Sequence, residues 1–305
     1  MADSDTLKSL LKNLVETESP SDEKDAVNRL GTIVAGEASK LGAEIEFTPN
    51  KETGDHVLAR FPSPVGKRNP YESDKPILIL CHMDTVFPLG TLSRMPYRES
   101  DGKIFGPGTL DMKAGIVISL AAIEAAQMEG MSRAISLLCT SDEEIGSETS
   151  RELIEALAKE SELVLVLEPG LPDGSLKTWR KGVGEFWVKT KGRASHAGGD
   201  HEKGRNAIEE MAHQIIAIQK LTDYSKQTTL NVGVIRGGTV SNVVPDEAVI
   251  KVDVRVMQPG EWERLGAEMK KITPVLDGTS IEITGSVHRP PMPLNSTMKA
   301  TFEKA

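Results

Sequence analysis

The 305-residue chain carries 38% hydrophobic and 27% charged residues with 27 glycines and 17 prolines, the makeup of a folded protein long enough for two domains rather than a disordered or fibrous one. Its net charge of -9, with no Lys/Arg-rich run, argues against a nucleic-acid partner, because phosphate binding needs a clustered basic surface. The opening MADSDTLKSLLKNLVETESP offers acidic residues and a helical pattern where a signal peptide needs a basic and then an apolar segment. No run approaches the ~18 apolar residues of a membrane span, so no membrane partner and a cytoplasmic location are expected.

Leu7, Leu10, Leu11, Leu14 and Val15 recur at helical spacing, and Ser19-Pro20 predicts the start of a second helix, with Ser as N-cap and Pro in the first turn. Apolar strand-like runs then alternate with helical stretches: Ile45 to Phe47, Val57 to Phe61, Ile77 to Cys81, a helix from about Lys113 to Met128, Ile135 to Cys139, a helix from about Glu148 to Ala158, and Leu163 to Leu167. Short buried strands between helices predict an α/β domain with a mostly parallel, mixed sheet flanked by helices. The polar stretch from Pro62 to Asp74 reads as a surface loop, and Cys81 and Cys139, each closing an apolar run, read as buried thiols. After Pro172 the strands become amphipathic, at Phe186 to Thr190, Leu230 to Ile235 and Val249 to Val256, with helices near Arg205 to Lys220 and Glu261 to Ile272. This predicts a separate α+β unit, followed by a strand at Ile281 to Thr284 and a final stretch of helix formers.

The polar residues that end the apolar runs carry the chemistry. His82 and Asp84 follow ILIL, at the carboxyl end of a buried strand where open α/β sheets bind ligands. Residues two apart on a strand share a face, so the Asp84 carboxylate is placed to accept the far N–H of His82 and hold it as a metal ligand. A lone His-x-Asp is usually a surface His beside a turn Asp. Asp111 sits in the Gly/Pro-rich FGPGTLDMKAG ahead of a long helix, where a plain N-cap is the simpler reading. Glu143 and Glu144 follow AISLLCT and could be no more than an acidic helix start, yet one could bind a metal while the other takes a proton from water. Glu168 closes LVLVL. Each has a dull explanation; four successive strands or loops ending in His, Asp, Glu-Glu and Glu make a combined pattern that suits zinc or a similar divalent metal, with an Asp able to bridge two ions.

HMDTV, GPGTLDMKAG, SDEEIGS, LEPG, GRASHAGG and GGTVSNVVPDEA, in this order, resemble the successive motifs of the two-zinc metallopeptidase superfamily of aminoacylases, desuccinylases and carboxypeptidases. HMDTVFPLG and FGPGTLDMKAG look closest to its glutamate carboxypeptidase branch. The resemblance implies His82, Asp111 and Glu168 on one metal and Asp111 with Glu144 on a second, two Zn2+ per subunit of the complete enzyme, with other divalent metals possible. It implies Glu143 as general base, Asp84 as the partner of His82, and a cis peptide at Asp111-Met112. It further implies an inserted lid and dimerisation domain at residues 178–287 between a catalytic part at 1–177 and a return at 288–305, and a homodimer formed through the lid. His196 would reach the partner subunit's site to stabilise an oxyanion, and Asn242 and Arg255 would hold a substrate carboxylate. Without the resemblance, His196 is an ordinary loop His and Arg255 a solvated strand Arg.

The implied activity is hydrolysis of an amide bond next to a free carboxylate in a peptide or N-acyl amino acid; deacylation or desuccinylation of another N-acyl amino acid is the alternative. The family's late metal-binding histidine has no counterpart. His56, His201, His213 and His288 do not replace it, so a C-terminally truncated fragment is expected, with uncovered sheet edge and helix faces. A non-catalytic dimerisation or metal-binding protein is the competing reading from another class.

Overall fold

The computed structural model describes residues 3–63, 74–258 and 260–304. Most of the expected loop between Pro62 and Asp74 therefore lies outside the described residues. The chain divides into two compact units, Met1–Gly170 and Leu171–Ala305.

In the first unit, α1 (Ser4–Glu16) and α2 (Lys24–Lys40) precede β1 (Glu44–Thr48), β2 (His56–Phe61) and β3 (Ile77–His82). A small hairpin of β4 (Arg98–Ser100) and β5 (Lys103–Phe105) leads to α3 (Ala114–Met128), β6 (Ile135–Thr140), α4 (Arg151–Glu160) and β7 (Leu163–Val166). The sheet order is β1-β2-β6-β3-β7. β3 runs parallel to both β6 and β7, whereas β1, β2 and β6 pair antiparallel. This mixed sheet is covered on both faces. Val57, Ala59, Phe61, Ile79, Cys81, Leu137 and Cys139 pack with α1, α2 and α3, while the alternate residues Leu58, Leu78 and Leu138 pack with Leu157 of α4. Burial of both faces is why these strands read as continuous apolar runs. Both cysteines are buried free thiols. β7 forms a sheet edge on which Leu165 and Val166 stand exposed, as does Ile118 on α3.

The second helix begins at Lys24, not at Ser19-Pro20. The capping groups are engaged elsewhere: the Ser19 hydroxyl donates to the Met83 carbonyl (2.8 Å), the Thr85 N–H donates to Ser19 O (2.9 Å), and Pro20 pairs with Thr85 as a parallel bridge. The segment is thus stitched alongside the loop that follows β3.

The second unit contains β8 (Gly182–Lys191), β9 (Ser195–His196), α5 (Ala207–Gln219), β10 (Thr229–Gly237), β11 (Val243–Val244), β12 (Glu247–Val256), α6 (Glu261–Lys270), β13 (Ser280–Arg289) and α7 (Ser296–Lys304). Its main sheet, β10-β12-β8-β13, is antiparallel throughout. Phe186, Val188, Leu230, Ile250, Val252 and Val254 pack with Met211 and Ile218 of α5 and Leu265 and Met269 of α6. The alternate positions carry charge, with Lys251 paired to Glu185 (2.8 Å) and Lys189 to Glu247 (2.8 Å). That alternation is the amphipathic pattern of a sheet packed on one face. β9 and β11 form a separate two-stranded ribbon.

Gly115, at the start of α3, lies so close to the end of β7 that an added Cβ would stand 2.5 Å from Leu167 O and 2.8 Å from Met112 Cε. Gly115→Ala is therefore expected to push α3 off the sheet and lower the unfolding free energy by about 1–3 kcal/mol, read as a shifted denaturant midpoint.

Candidate metal centre

Parallel pairing puts the carboxyl ends of β6, β3 and β7 along one edge of the sheet, so the loops leaving them converge. The register pairs His82 with Thr140 and Leu80 with Val166. Continued two residues beyond β7, it sets Glu168 level with His82, and Glu168 Oε1 lies 3.3 Å from His82 Nε2. Asp111 comes from the turn before α3, where Thr109–Lys113 departs from regular helix and the Asp111-Met112 peptide is cis. Asp111 Oδ1 lies 3.1 Å from His82 Nε2. His82, Asp111 and Glu144 present ligand atoms within 4.8 Å of one another, and so do His82, Glu143 and Glu168.

The buried Asp84 organises this set. Its Oδ2 accepts the Ser21 hydroxyl (2.7 Å) and the Glu144 N–H (3.1 Å), and its Oδ1 accepts the Glu143 N–H (3.2 Å). His82 Nδ1 sits 3.0 Å from the Asp84 backbone carbonyl and 3.4 Å from its Oδ1. The imidazole is thus held more closely by the main-chain oxygen than by the carboxylate, which spends its lone pairs on the Glu143–Glu144 loop. Two further contacts have no local sequence signal. The His82 N–H donates to Met112 Sδ (3.1 Å), and buried Lys113 donates to Thr17 O (2.8 Å). Ser21, Met112 and Lys113 support the site through partners 30 to 96 residues away, so only the folded chain reveals them.

Burial alone would lower the His82 pKa, but hydrogen bonds to Asp84 and Glu168 and the charges of both carboxylates outweigh it and raise it to about 11. Burial and the neighbouring Asp111 charge raise that of Glu144. Crowded carboxylates around one imidazole are stabilised by a cation, and the donor set of one nitrogen and several oxygens fits a divalent metal.

In the second unit, His196 and Asn242 come together through the β9–β11 ribbon: Val243 pairs with His196, and the Ala197 N–H donates to Asn242 O (3.0 Å). His196 is exposed, and its Nδ1 accepts the N–H groups of Gly198 and Gly199 (both 3.1 Å). Arg255 is not brought to them. It lies near the far end of β12, eight residues beyond Glu247, roughly 26 Å along the strand, and holds Asp253 with two hydrogen bonds (2.9 and 3.0 Å).

Residues 178–276 match the family model described as a peptidase dimerisation domain. The chain is 31% identical to carboxypeptidase G2 of Pseudomonas sp. (strain RS-16) over 83% of its own length and 60% of that protein's. It is 29% identical to acetylornithine deacetylase of Salmonella arizonae over 91% of its length and 73% of the relative's. The aminopeptidase PepT of Bacillus cereus shares the fold, with a TM-score of 0.77 at 22% identity over 96% of this chain and 78% of that one. The chain is thus similar to members of the M20 metallopeptidase superfamily. It spans 60% of the length of carboxypeptidase G2.

The raised His82 pKa has a measurable consequence. A raised folded-state pKa contributes stability that is fully present below the ordinary 6.5 and lost as pH climbs through about 11. Metal-free protein therefore holds His82 protonated at neutral pH, whereas a metal ligand must be a neutral ring. Calorimetric zinc titration at pH 7.5 in buffers of different ionisation enthalpy is expected to show release of about one proton or more per ion bound; heats independent of the buffer would contradict it.

Proposed function

We propose that this chain carries the metal site and substrate-binding unit of a hydrolase that cleaves an amide bond next to a free carboxylate, in the manner of a glutamate carboxypeptidase. The supporting observation is the convergence of His82, Asp111, Glu143, Glu144 and Glu168 on one edge of the sheet. The similarity to carboxypeptidase G2 directs the reading to a carboxylate-bearing substrate.

In this reading His82, Asp111 and Glu168 hold one zinc, and Asp111 with Glu144 takes part in holding a second. Bound there, the metals would polarise the scissile carbonyl and acidify a water molecule. Glu143, its main chain fixed by Asp84, takes the water's proton and passes it to the departing amine. Because Nδ1 of His196 accepts two backbone N–H groups, its proton sits on Nε2, where it can donate to the oxyanion. Asn242 and Arg255 would bind the substrate carboxylate, Arg255 by exchanging Asp253 for it. Residues 178–287 would act as the lid through which two copies associate. The separation of Arg255 from His196 and Asn242 suits a lid that serves two sites, one in each subunit.

The similarity to acetylornithine deacetylase supports a second reading, deacylation of a different N-acyl amino acid. Assays with acyl-glutamate, acyl-ornithine and succinyl-diaminopimelate separate the two. Preference for the first is expected, and equal rates on all three would remove the carboxypeptidase reading. Glu143→Gln should lower kcat by about 10²–10⁴-fold while zinc uptake persists; a variant retaining full kcat would exclude Glu143 as the base.

A further inference from the structure

We propose that His56 is a positioning residue for the Glu143–Glu144 pair, acting through a polar clasp that ties the turn before β2 to both ends of the loop after β6. The inference rests on the reading of that pair as base and ligand. Asp84 holds the loop from one side through the Glu143 and Glu144 amides. His56 meets the loop at two other points. Its Nδ1 lies 3.3 Å from the Ser141 N and 3.0 Å from the Ser141 hydroxyl, and its Nε2 lies 3.4 Å from the Thr149 hydroxyl. One ring therefore spans the segment from two residues before Glu143 to five residues after Glu144.

The surrounding hydrogen bonds engage both ring nitrogens. The Thr149 hydroxyl donates to Asp142 Oδ2 (2.7 Å), which also accepts the N–H groups of Thr149 (2.8 Å) and Ser150 (3.1 Å). With its own proton committed, Thr149 Oγ1 can only accept from His56 Nε2, while Nδ1 faces both the N–H and the hydroxyl of Ser141. The Ser141 hydroxyl bonds Gly54 O, and Asn50 Nδ2 donates to the hydroxyls of Thr53 and Thr149. The Ser141–Gly54 and Asn50–Thr149 bonds thus join the turn at 50–56 to the loop at 141–150, as the His56 ring does. His56, Ser141 and Asp142 are all buried, and burial pushes the His56 pKa down against the pull of Asp142. A buried His that closes the loop from behind sets where the two carboxylates stand.

The test compares His56→Ala with His56→Asn, which keeps an acceptor near the Nδ1 position, and His56→Gln, which keeps a donor near the Nε2 position. In His56→Ala, backbone amide exchange across 141–150 is expected to accelerate about tenfold or more while β2, β3 and β6 stay protected. Zinc affinity, measured by competition with a chelator dye, should fall about 10–100-fold, with kcat reduced more than KM is raised. Asn or Gln should restore part of both effects. Unchanged exchange in this loop, or acceleration spread evenly over the first unit with no rescue, would overturn the proposal. If the unaltered protein takes up no zinc, the functional reading fails, and the exchange pattern still decides the role of His56.

Discussion

The arrangement of the first unit turns on the Asp84 carboxylate, buried at the end of a buried strand. A charge placed there costs several kcal/mol unless its lone pairs are filled by well-aligned donors. The donors are the Ser21 hydroxyl and the N–H groups of Glu143 and Glu144, and satisfying them sets three things at once. It draws the segment between α1 and α2 alongside the end of β3, it sets the path of the loop after β6, and it leaves the His82 ring against the Asp84 backbone carbonyl. A substitution at Asp84 would remove the neighbour of His82 and release two loops with it.

Around this centre the electrostatics favour a cation. His82 is held protonated by its carboxylate neighbours despite its burial, and Glu144 is pushed toward its neutral form by burial and Asp111. Both are the same response, a pull toward the protonated form under an excess of negative charge, and a divalent ion would relieve both. The parallel neighbours β6, β3 and β7 make the crowding unavoidable, because their register brings the residues after each strand to the same height.

The second unit obeys a simpler rule. One face of its sheet is packed by α5 and α6 while the other displays paired charges, so its polar residues are sorted by position along and across the strands. His196 and Asn242 share the short ribbon that leads into β12, whereas Arg255 sits eight residues beyond the start of that strand. Strand length alone keeps Arg255 apart from the ribbon that carries the other two within a single copy of this unit.

Much of this was legible in the residue order. Continuous apolar runs identify strands buried on both faces, alternation identifies the half-buried sheet, and the polar residues closing buried strands mark the groups that converge, because period and strand-end position are local properties of the chain. Ser19-Pro20 shows where that logic stops. It has the local chemistry of a helix start, yet its groups bond to residues 64 positions away, and the helix begins at Lys24 instead. His56 is similar: nothing near it in the chain distinguishes it from an ordinary strand residue, and its partners Ser141 and Thr149 lie 85 and 93 residues downstream. Residue types and spacing thus decided which groups could bind a metal. Strand order, register and long-range hydrogen bonds decided which of them meet, because those depend on which segments become neighbours when the apolar surfaces are buried together.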